Sequence, residues 1–173
     1  MSLFDLNSLE QQASKAGLLL RLRVARPLGL WTLRIVVANP IDGQRLQICG
    51  EMKAWAYAAQ KGLQLDTMRV QSGIAGGVGD LIWAAAMAWA LEETPCRQAR
   101  LLAICDQDQQ HRLLVRYFRQ RGFRSVREVG SNVLDLPLRM VWGGAGLLMD
   151  GHCEQVLEIS QKRLQLFFDS QGL

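Results

Sequence analysis

Hydrophobic and polar positions alternate along the first half of the chain, which is the pattern of strands with one wet face. Leu18 to Ala25 alternates Leu, Arg and Val, and Leu30 to Ala38 and Leu46 to Ala58 are rich in Trp, Ile, Val and Tyr. The turn formers of Asn39 to Gly43 join the last two runs, so we expect an antiparallel hairpin. A fourth strand is expected over Leu63 to Val70.

The pattern then changes to strands that alternate with helices. Asp80 to Glu93 is rich in alanine and apolar on nearly all sides, which predicts a deeply buried helix. Ala99 to Cys105 predicts a compact strand, Gln107 to Arg121 a basic amphipathic helix, and Phe123 to Val129 a further strand. An antiparallel front half followed by strand-helix-strand crossovers indicates a mixed sheet covered by helices.

The two ends of the chain complete the predicted fold. Ser2 to Ala16 has apolar residues at helical spacing and predicts an amphipathic helix capped by Ser2. Val133 to Trp142 is expected to be a last long strand, and Gly151 to Asp169 a C-terminal helix. Gly143, Gly144 and Gly146 are expected to form a flexible connection between them. We expect one α/β domain over residues 1–173, of the mixed α+β kind, with a twisted sheet of about six to seven strands.

Composition excludes several classes of protein. With 49% apolar and 21% charged residues among 173, the chain is long enough to bury a core without disulfides or metals. Its four cysteines are widely spaced and it has two histidines, so we expect no metal site. We also expect no secretory signal and no membrane span, and hence a cytoplasmic protein. An anionic ligand explains the net charge of +4 as readily as nucleic acid does, so the charge alone does not decide between them.

A glycine-rich loop lies between the strand that ends at Val70 and the helix that follows. Glycines let backbone N–H groups turn toward one point, and a helix N-terminus adds partial positive charge, so the loop suits a pyrophosphate. The Lys and Ser/Thr of a P-loop are absent, and the glycines do not form G-x-G-x-x-G. The four glycines are Gly73, Gly76, Gly77 and Gly79.

This loop resembles the acetyl-CoA motif of the GNAT N-acetyltransferase superfamily, Q/R-x-x-G-x-G/A, with Gly77-Val78-Gly79 in the glycine positions. A second block, Ala99 to Cys105 followed by Leu113 to Phe123, resembles the next strand and helix of that superfamily. The resemblance covers about Leu46 to Val129. It implies a GNAT-like fold that uses acetyl-CoA as acyl donor, and an unidentified amine that attacks the thioester directly.

The resemblance also implies a set of site residues. Acetyl-CoA would lie in a cleft where two central strands splay, with its pantetheine on the backbone of the strand and its pyrophosphate on the loop. His111 stands where many members have an Asn that contacts the cofactor. The implied cofactor-binding residues are Met68, Arg69, Val70, Gly76, Gly77, Val78, Gly79, Asp80, His111 and Phe118. We expect the substitution Gly77→Arg to abolish cofactor binding and to leave the fold intact.

The chain departs from the family at positions that matter for catalysis. Ile74 replaces the Gln/Arg of the motif, and Phe118 stands where many members place a Tyr that protonates the thiolate. Tyr117 is adjacent, although neighbouring helix positions point about 100° apart. Asp66 and Glu51 are the candidate bases, and Glu51 could instead pair with Lys53 or Arg69.

These departures keep a second function open, which is a catalytically degenerate domain that senses CoA or binds a protein partner. Arg26 to Leu30 leaves room only for a turn where the family has two helices that wall the acceptor pocket, so the pocket is either open or built by a partner. Leu166 to Phe168 close the core or form a dimer contact. A basic tract, with its first three members on one helix face, is either solvated or attracts phosphates, and without interleaved aromatics or a recognised motif it disfavours nucleic acid as a partner. The tract consists of Arg112, Arg116, Arg119, Arg121, Arg124 and Arg127.

Overall fold

A computed structural model of the chain describes residues 4–72, 76–105, 107–130, 132–142 and 144–172. The predicted cap Ser2 and the loop residues Gly73 and Ile74 lie outside these ranges, as does Gly143. The described ranges contain seven β-strands and five α-helices.

Seven strands form one mixed sheet in the order β1-β2-β3-β4-β5-β7-β6. Strands β1 to β4 are antiparallel neighbours, β4 and β5 are parallel, and β7 lies antiparallel between β5 and β6. The strands are β1 (Leu19–Ala25), β2 (Trp31–Asp42), β3 (Arg45–Ala56), β4 (Leu63–Val70), β5 (Gln98–Ile104), β6 (Arg124–Val129) and β7 (Gly146–His152).

Five α-helices accompany the sheet in the described ranges, with two short 3-10 turns at Pro27–Gly29 and Val133–Asp135. The helix α2 is buried along most of its length, and α1, β2, β3 and α5 pack on it. This burial agrees with a sequence that is apolar on nearly all sides. The helices are α1 (Leu6–Lys15), α2 (Val78–Glu93), α3 (Asp108–Gln120), α4 (Leu136–Trp142) and α5 (Cys153–Ser170).

Two boundaries near the N-terminus differ from the prediction. The helix α1 begins at Leu6, and the Asp5 side chain caps it by accepting a hydrogen bond of 2.7 Å from the backbone N–H of Ser8. In the hairpin, β2 extends to Asp42 and β3 begins at Arg45, so the turn is shorter than the predicted Asn39 to Gly43. Pro40 is tolerated beside a register shift because it needs no ladder donor there.

The predicted last strand over Val133 to Trp142 is wrong. That segment forms a 3-10 turn and α4, with Asn132 accepting a hydrogen bond from the backbone N–H of Leu134. Pro137 cannot donate to a sheet ladder but is tolerated in the first turn of a helix. The apolar residues that suggested a strand are largely exposed, as Val133 and Met140 show.

The last strand is β7, which includes part of the predicted flexible connection. Gly146 begins it, and a Cβ at this position would collide with the carbonyl of Ala103 on β5. Glycine therefore permits the close approach of the two strands. Inside β7, Leu148 and Met149 are buried.

Candidate active site

A fork between β4 and β5 defines the candidate site. The two strands pair only from Leu63 opposite Ala99 to Leu65 opposite Leu101. Beyond this point β4 continues to Val70 with β3 as its neighbour. Asp66 is an extra residue in β4 at a register shift. Lys53 of β3 pairs with Thr67, and the residue after Lys53 pairs with Leu65, so Asp66 has no partner on β3. The sheet therefore opens into a cleft at its centre.

Backbone groups of β4 face this cleft. The N–H of Gln71, just past the end of β4, donates a 2.9 Å hydrogen bond to the carbonyl of Cys49 within β3. In an antiparallel ladder, alternate residues direct their N–H and C=O groups to the same neighbour. Arg69 and Thr67 therefore face β3, whereas Met68 and Val70 direct their N–H and C=O groups toward the opened side. No described strand pairs with these groups on the opened side, so they can pair with an extended ligand.

The glycine loop leads from β4 into α2. Gly77 lies in the left-handed region with φ 94°, and its carbonyl accepts the first helical hydrogen bond from Leu81 at 2.8 Å. Gly76 is exposed, and a Cβ there would meet no atom within 4 Å. The free N–H groups of the first turn of α2 thus begin beside an open glycine.

The expectation that Gly77→Arg leaves the fold intact is wrong. A Cβ at Gly77 would lie 2.6 Å from the ring of Phe167 on α5, and the backbone conformation itself disfavours an L side chain. Gly77 is required for the packing of α5 against the loop. Gly76 is the glycine at which a side chain tests the loop without disturbing that packing.

Tyr117 places its hydroxyl on the cleft side of α2. A Cβ built on Gly79 would lie 3.6 Å from the Tyr117 hydroxyl oxygen, 3.7 Å from the Met68 methyl carbon and 3.9 Å from a Val70 methyl carbon. The Trp83 indole N–H donates a 2.9 Å hydrogen bond to that oxygen. An indole nitrogen only donates, so Tyr117 is the acceptor and keeps its own proton. Within the described residues that proton has no acceptor.

An ion pair fixes Tyr117 and α3 against α2. Arg121 donates a 3.1 Å hydrogen bond to Asp80, and the two side chains are 8% and 12% exposed. The Arg121 guanidinium also lies 3.8 Å from the centre of the Tyr117 ring. Burial raises the pKa of Asp80, although Arg121 and Arg163 act in the opposite direction. The carboxylate of Asp80 is thus committed to Arg121, and its backbone is what remains for a ligand.

Phe118 and His111 lie elsewhere around α3. The Phe118 ring packs edge-on to Trp83 and Phe123, each at 6.1 Å between ring centres, so it belongs to an aromatic cluster under the helix. His111 places its Nδ1 atom 3.2 Å from the carbonyl oxygen of Ile104 at the end of β5. Its ring therefore lies at the mouth of the fork, on the side opposite β4.

The two candidate bases have different surroundings. Glu51 accepts a 2.9 Å hydrogen bond from Arg34, a partner the sequence analysis did not consider. This hydrogen bond lowers the pKa of Glu51, with smaller contributions from Lys53 and Arg69. Asp66 is exposed at the register shift, at the point where β4 leaves β5. Of the two carboxylates, Asp66 lies closer along the chain to the opening.

Trp83 and Arg121 are site residues that the sequence analysis missed. The sequence pattern indicates Trp83 only as part of a buried helix and Arg121 only as part of a basic tract. A signal was present, because both residues carry donor groups and lie in segments that the topology brings together. The contact between them through Tyr117 depends on how α3 packs against α2, and this has no local sequence pattern.

Comparison with solved structures identifies the class of fold. No protein-family model and no curated protein sequence matches the chain. The structure of nourseothricin acetyltransferase is similar over 82% of this chain and 93% of that chain, with 16% identity and a TM-score of 0.51. Two structures of Arabidopsis thaliana NAA60 are also similar. The complex with a bisubstrate analogue has 13% identity and a TM-score of 0.49, and the similarity covers 70% of this chain and 76% of that chain. The complex with acetyl-CoA has 15% identity and a TM-score of 0.47, and the similarity covers 86% of this chain and 93% of that chain.

The similarity to the nourseothricin acetyltransferase structure confirms the predicted fold class, a GNAT-like mixed sheet flanked by helices. At 16% identity the likeness establishes the fold, and the reaction has to be argued from the site. Across the described ranges, no helix is long and apolar enough to cross a membrane. The same ranges contain no group of three His, Cys, Asp or Glu side chains placed to hold a metal ion.

Proposed function

We propose that this chain is an acetyl-CoA-dependent N-acetyltransferase whose acceptor is an amine. The observation that carries the proposal is the Tyr117 hydroxyl beside the opened part of β4, whose proton has no acceptor among the described residues. A domain that only binds CoA does not need such a proton donor. The nourseothricin acetyltransferase and NAA60 structures, whose names or bound ligands concern acetyl transfer, support the same class of reaction.

The cleft has the groups that acetyl-CoA requires. The N–H and C=O groups of Met68 and Val70 would pair with the amide-containing arm of CoA. The turn from Gly76 to Gly79 and the N-terminal turn of α2 would hold its pyrophosphate. Arg69 contributes positive charge from the opposite face of β4. Ile74 lies outside the described residues, so the assignment of the pyrophosphate rests on these backbone donors.

Acetyl-CoA supplies the acetyl group as a thioester, from which direct attack by an amine releases the thiol. For this reaction the protein must provide a proton to the sulfur atom. We assign that role to the Tyr117 hydroxyl, because its oxygen accepts from the Trp83 N–H and no described residue accepts its hydrogen. The guanidinium above the ring stabilises the negative charge that grows on the oxygen as the proton leaves. Phe118 supports Trp83 from the aromatic cluster.

Asp66 is the better candidate for the base that removes a proton from the amine. A carboxylate whose pKa is lowered by a hydrogen bond accepts a proton less readily, and Glu51 is in that condition because of Arg34. Asp66 is exposed at the register shift beside the fork and would act directly or through a water. Glu51 then serves to neutralise Arg34.

Calorimetric titration with acetyl-CoA, compared with CoA and ATP, tests the cofactor assignment. Gly76→Asp should weaken binding by about tenfold, because its carboxylate would face the phosphates at a position with room for a side chain. Gly76→Ala is the matched control and should bind within about twofold of the parent. Equal affinity of all three proteins would remove the loop from the cofactor site.

Turnover with a panel of amines then separates enzyme from sensor. Release of free thiol in the presence of acetyl-CoA and an amine, above the rate without protein, supports the transferase. Saturable binding of acetyl-CoA without turnover on any amine would instead support the degenerate domain that senses CoA.

A further inference from the structure

The face of β1 to β4 that points away from α2 carries a row of positive charges. Gly50 lies on the opposite face, the one that packs on α2, since a Cβ there would meet Ile82 and Val78 of α2. Side chains alternate between the two faces along each strand. Cross-strand pairing then places Arg23 opposite Arg34 and Arg34 opposite Lys53, all three exposed. Arg21 and Arg69 lie on the same face in the next row, and we call this surface the basic face.

The cations of the basic face are poorly neutralised within the protein. Side chains that lie directly opposite on neighbouring strands are about 5 Å apart at Cβ, and like charges in such positions repel. Glu51 pairs with Arg34 at 2.9 Å. Within the described ranges, Arg23 and Lys53 take part in no salt bridge. An anion from outside the chain would relieve this repulsion.

The basic face is also uncovered. The helices that pack on β1 to β4 are α1 and α2, which contact each other and therefore share one face. The connection from β1 to β2 is only the turn Pro27–Gly29. The five cations of the basic face are all exposed in the described structure. The surface is thus accessible to a flat or extended partner.

Aromatic rings lie at one end of the basic face. Trp55 is on the same face as Lys53, two residues further along β3 and about 7 Å away. It is half-buried, and its ring centre is 6.1 Å from that of Tyr57, which is 38% exposed. Nucleic-acid bases of any sequence stack on aromatic rings. Arginine binds phosphate through two N–H donors of its planar guanidinium group.

We propose that the basic face binds single-stranded nucleic acid, with its phosphates on the row Arg23, Arg34 and Lys53 and a base against Trp55. Four of the five cations are arginines, and the aromatic pair adjoins them on the same face. An acidic polypeptide would use the cations but would gain nothing specific from the rings. The α3 tract alone disfavours nucleic acid as a partner, whereas the sheet brings cations from four strands together with the aromatic pair.

Fluorescence anisotropy with a labelled oligothymidylate of about 15 nucleotides tests the proposal in the full chain. We expect binding that weakens steeply between about 50 and 200 mM salt. Arg23→Gln with Lys53→Gln should reduce affinity at low salt by roughly tenfold and the salt slope by about 1.4. Trp55→Leu should reduce affinity roughly tenfold with an unchanged salt slope.

The matched control removes two cations from the other basic surface. Arg112→Gln with Arg116→Gln changes the net charge by the same amount on the exposed side of α3 and should alter affinity by less than about twofold. Circular dichroism and urea unfolding establish that each variant is folded, so the outcome does not depend on the proposed transferase activity. Equal weakening by the two double variants, or absence of binding at low salt, would overturn the proposal. Polyglutamate that displaces the oligonucleotide at equal charge concentration would also overturn it, in favour of an acidic polypeptide.

Discussion

Side chains along β1 to β4 alternate between two faces of the sheet, of which one packs on the helices and the other stays exposed. On one face Ile35 and Met52 are buried against the helices, and Tyr117 is held there by α2 and α3. On the other face Arg34 and Lys53 occupy the neighbouring positions and stay exposed. A single strand therefore contributes stability through every second residue and leaves the remaining positions free for charge. The free energy of unfolding should respond to changes on the first face and hardly to changes on the second.

The largest effect is expected at the ion pair between Asp80 and Arg121. Asp80→Asn leaves the buried guanidinium without its carboxylate and should lower the free energy of unfolding by about 3 to 5 kcal/mol. Urea unfolding followed by circular dichroism measures the loss. The double variant Asp80→Leu with Arg121→Met removes both charges and should recover most of it. A double variant as unstable as the sum of its single changes would contradict this account.

Adjacent residues of β3 test the two faces most directly. Met52 is 1% exposed, so Met52→Ala should cost about 3 kcal/mol by leaving a cavity against α2. Lys53→Ala, one residue further on, should change the free energy of unfolding by less than about 0.5 kcal/mol. Both are measured by urea unfolding at one pH. Similar losses at the two positions would mean that the basic face is covered in solution.

Tyr117→Phe separates catalysis from stability on the packed face. Loss of the proposed proton donor should reduce kcat by about 100-fold, while KM for acetyl-CoA stays within about twofold because the ring and its packing remain. Steady-state kinetics with acetyl-CoA and an accepting amine give both constants. Adding Phe118→Tyr to this variant should not restore activity, since Phe118 lies in the aromatic cluster with Trp83 and Phe123. Restoration would place the proton donor at the position the family uses.

Elements with strong local patterns could be predicted from the sequence, and this includes most of the fold. Strand β4 was predicted with its observed bounds, and α2 within two residues, because period and composition agree there. The segment Val133 to Trp142 was misassigned because its apolar residues suggested burial that does not occur, whereas β7 was concealed by its glycines. For the site, the loop and β4 were predicted, but the contacts of Tyr117 were not. Those contacts depend on the packing of α3 against α2, which no local period encodes.

The smallest effect is expected on the uncovered face, and it should have the opposite sign. Arg23 lies directly across from Arg34, and within the described residues it has no carboxylate partner. Arg23→Gln removes one side of a repulsive pair without opening a cavity, so it should raise the free energy of unfolding by a few tenths of a kcal/mol. The gain should shrink at high salt, because screening already weakens repulsion between exposed charges. Thermal unfolding of parent and variant at about 50 mM and 1 M salt measures the difference. A loss of stability at low salt would mean that Arg23 has a stabilising partner, and the positive row would then need no external anion.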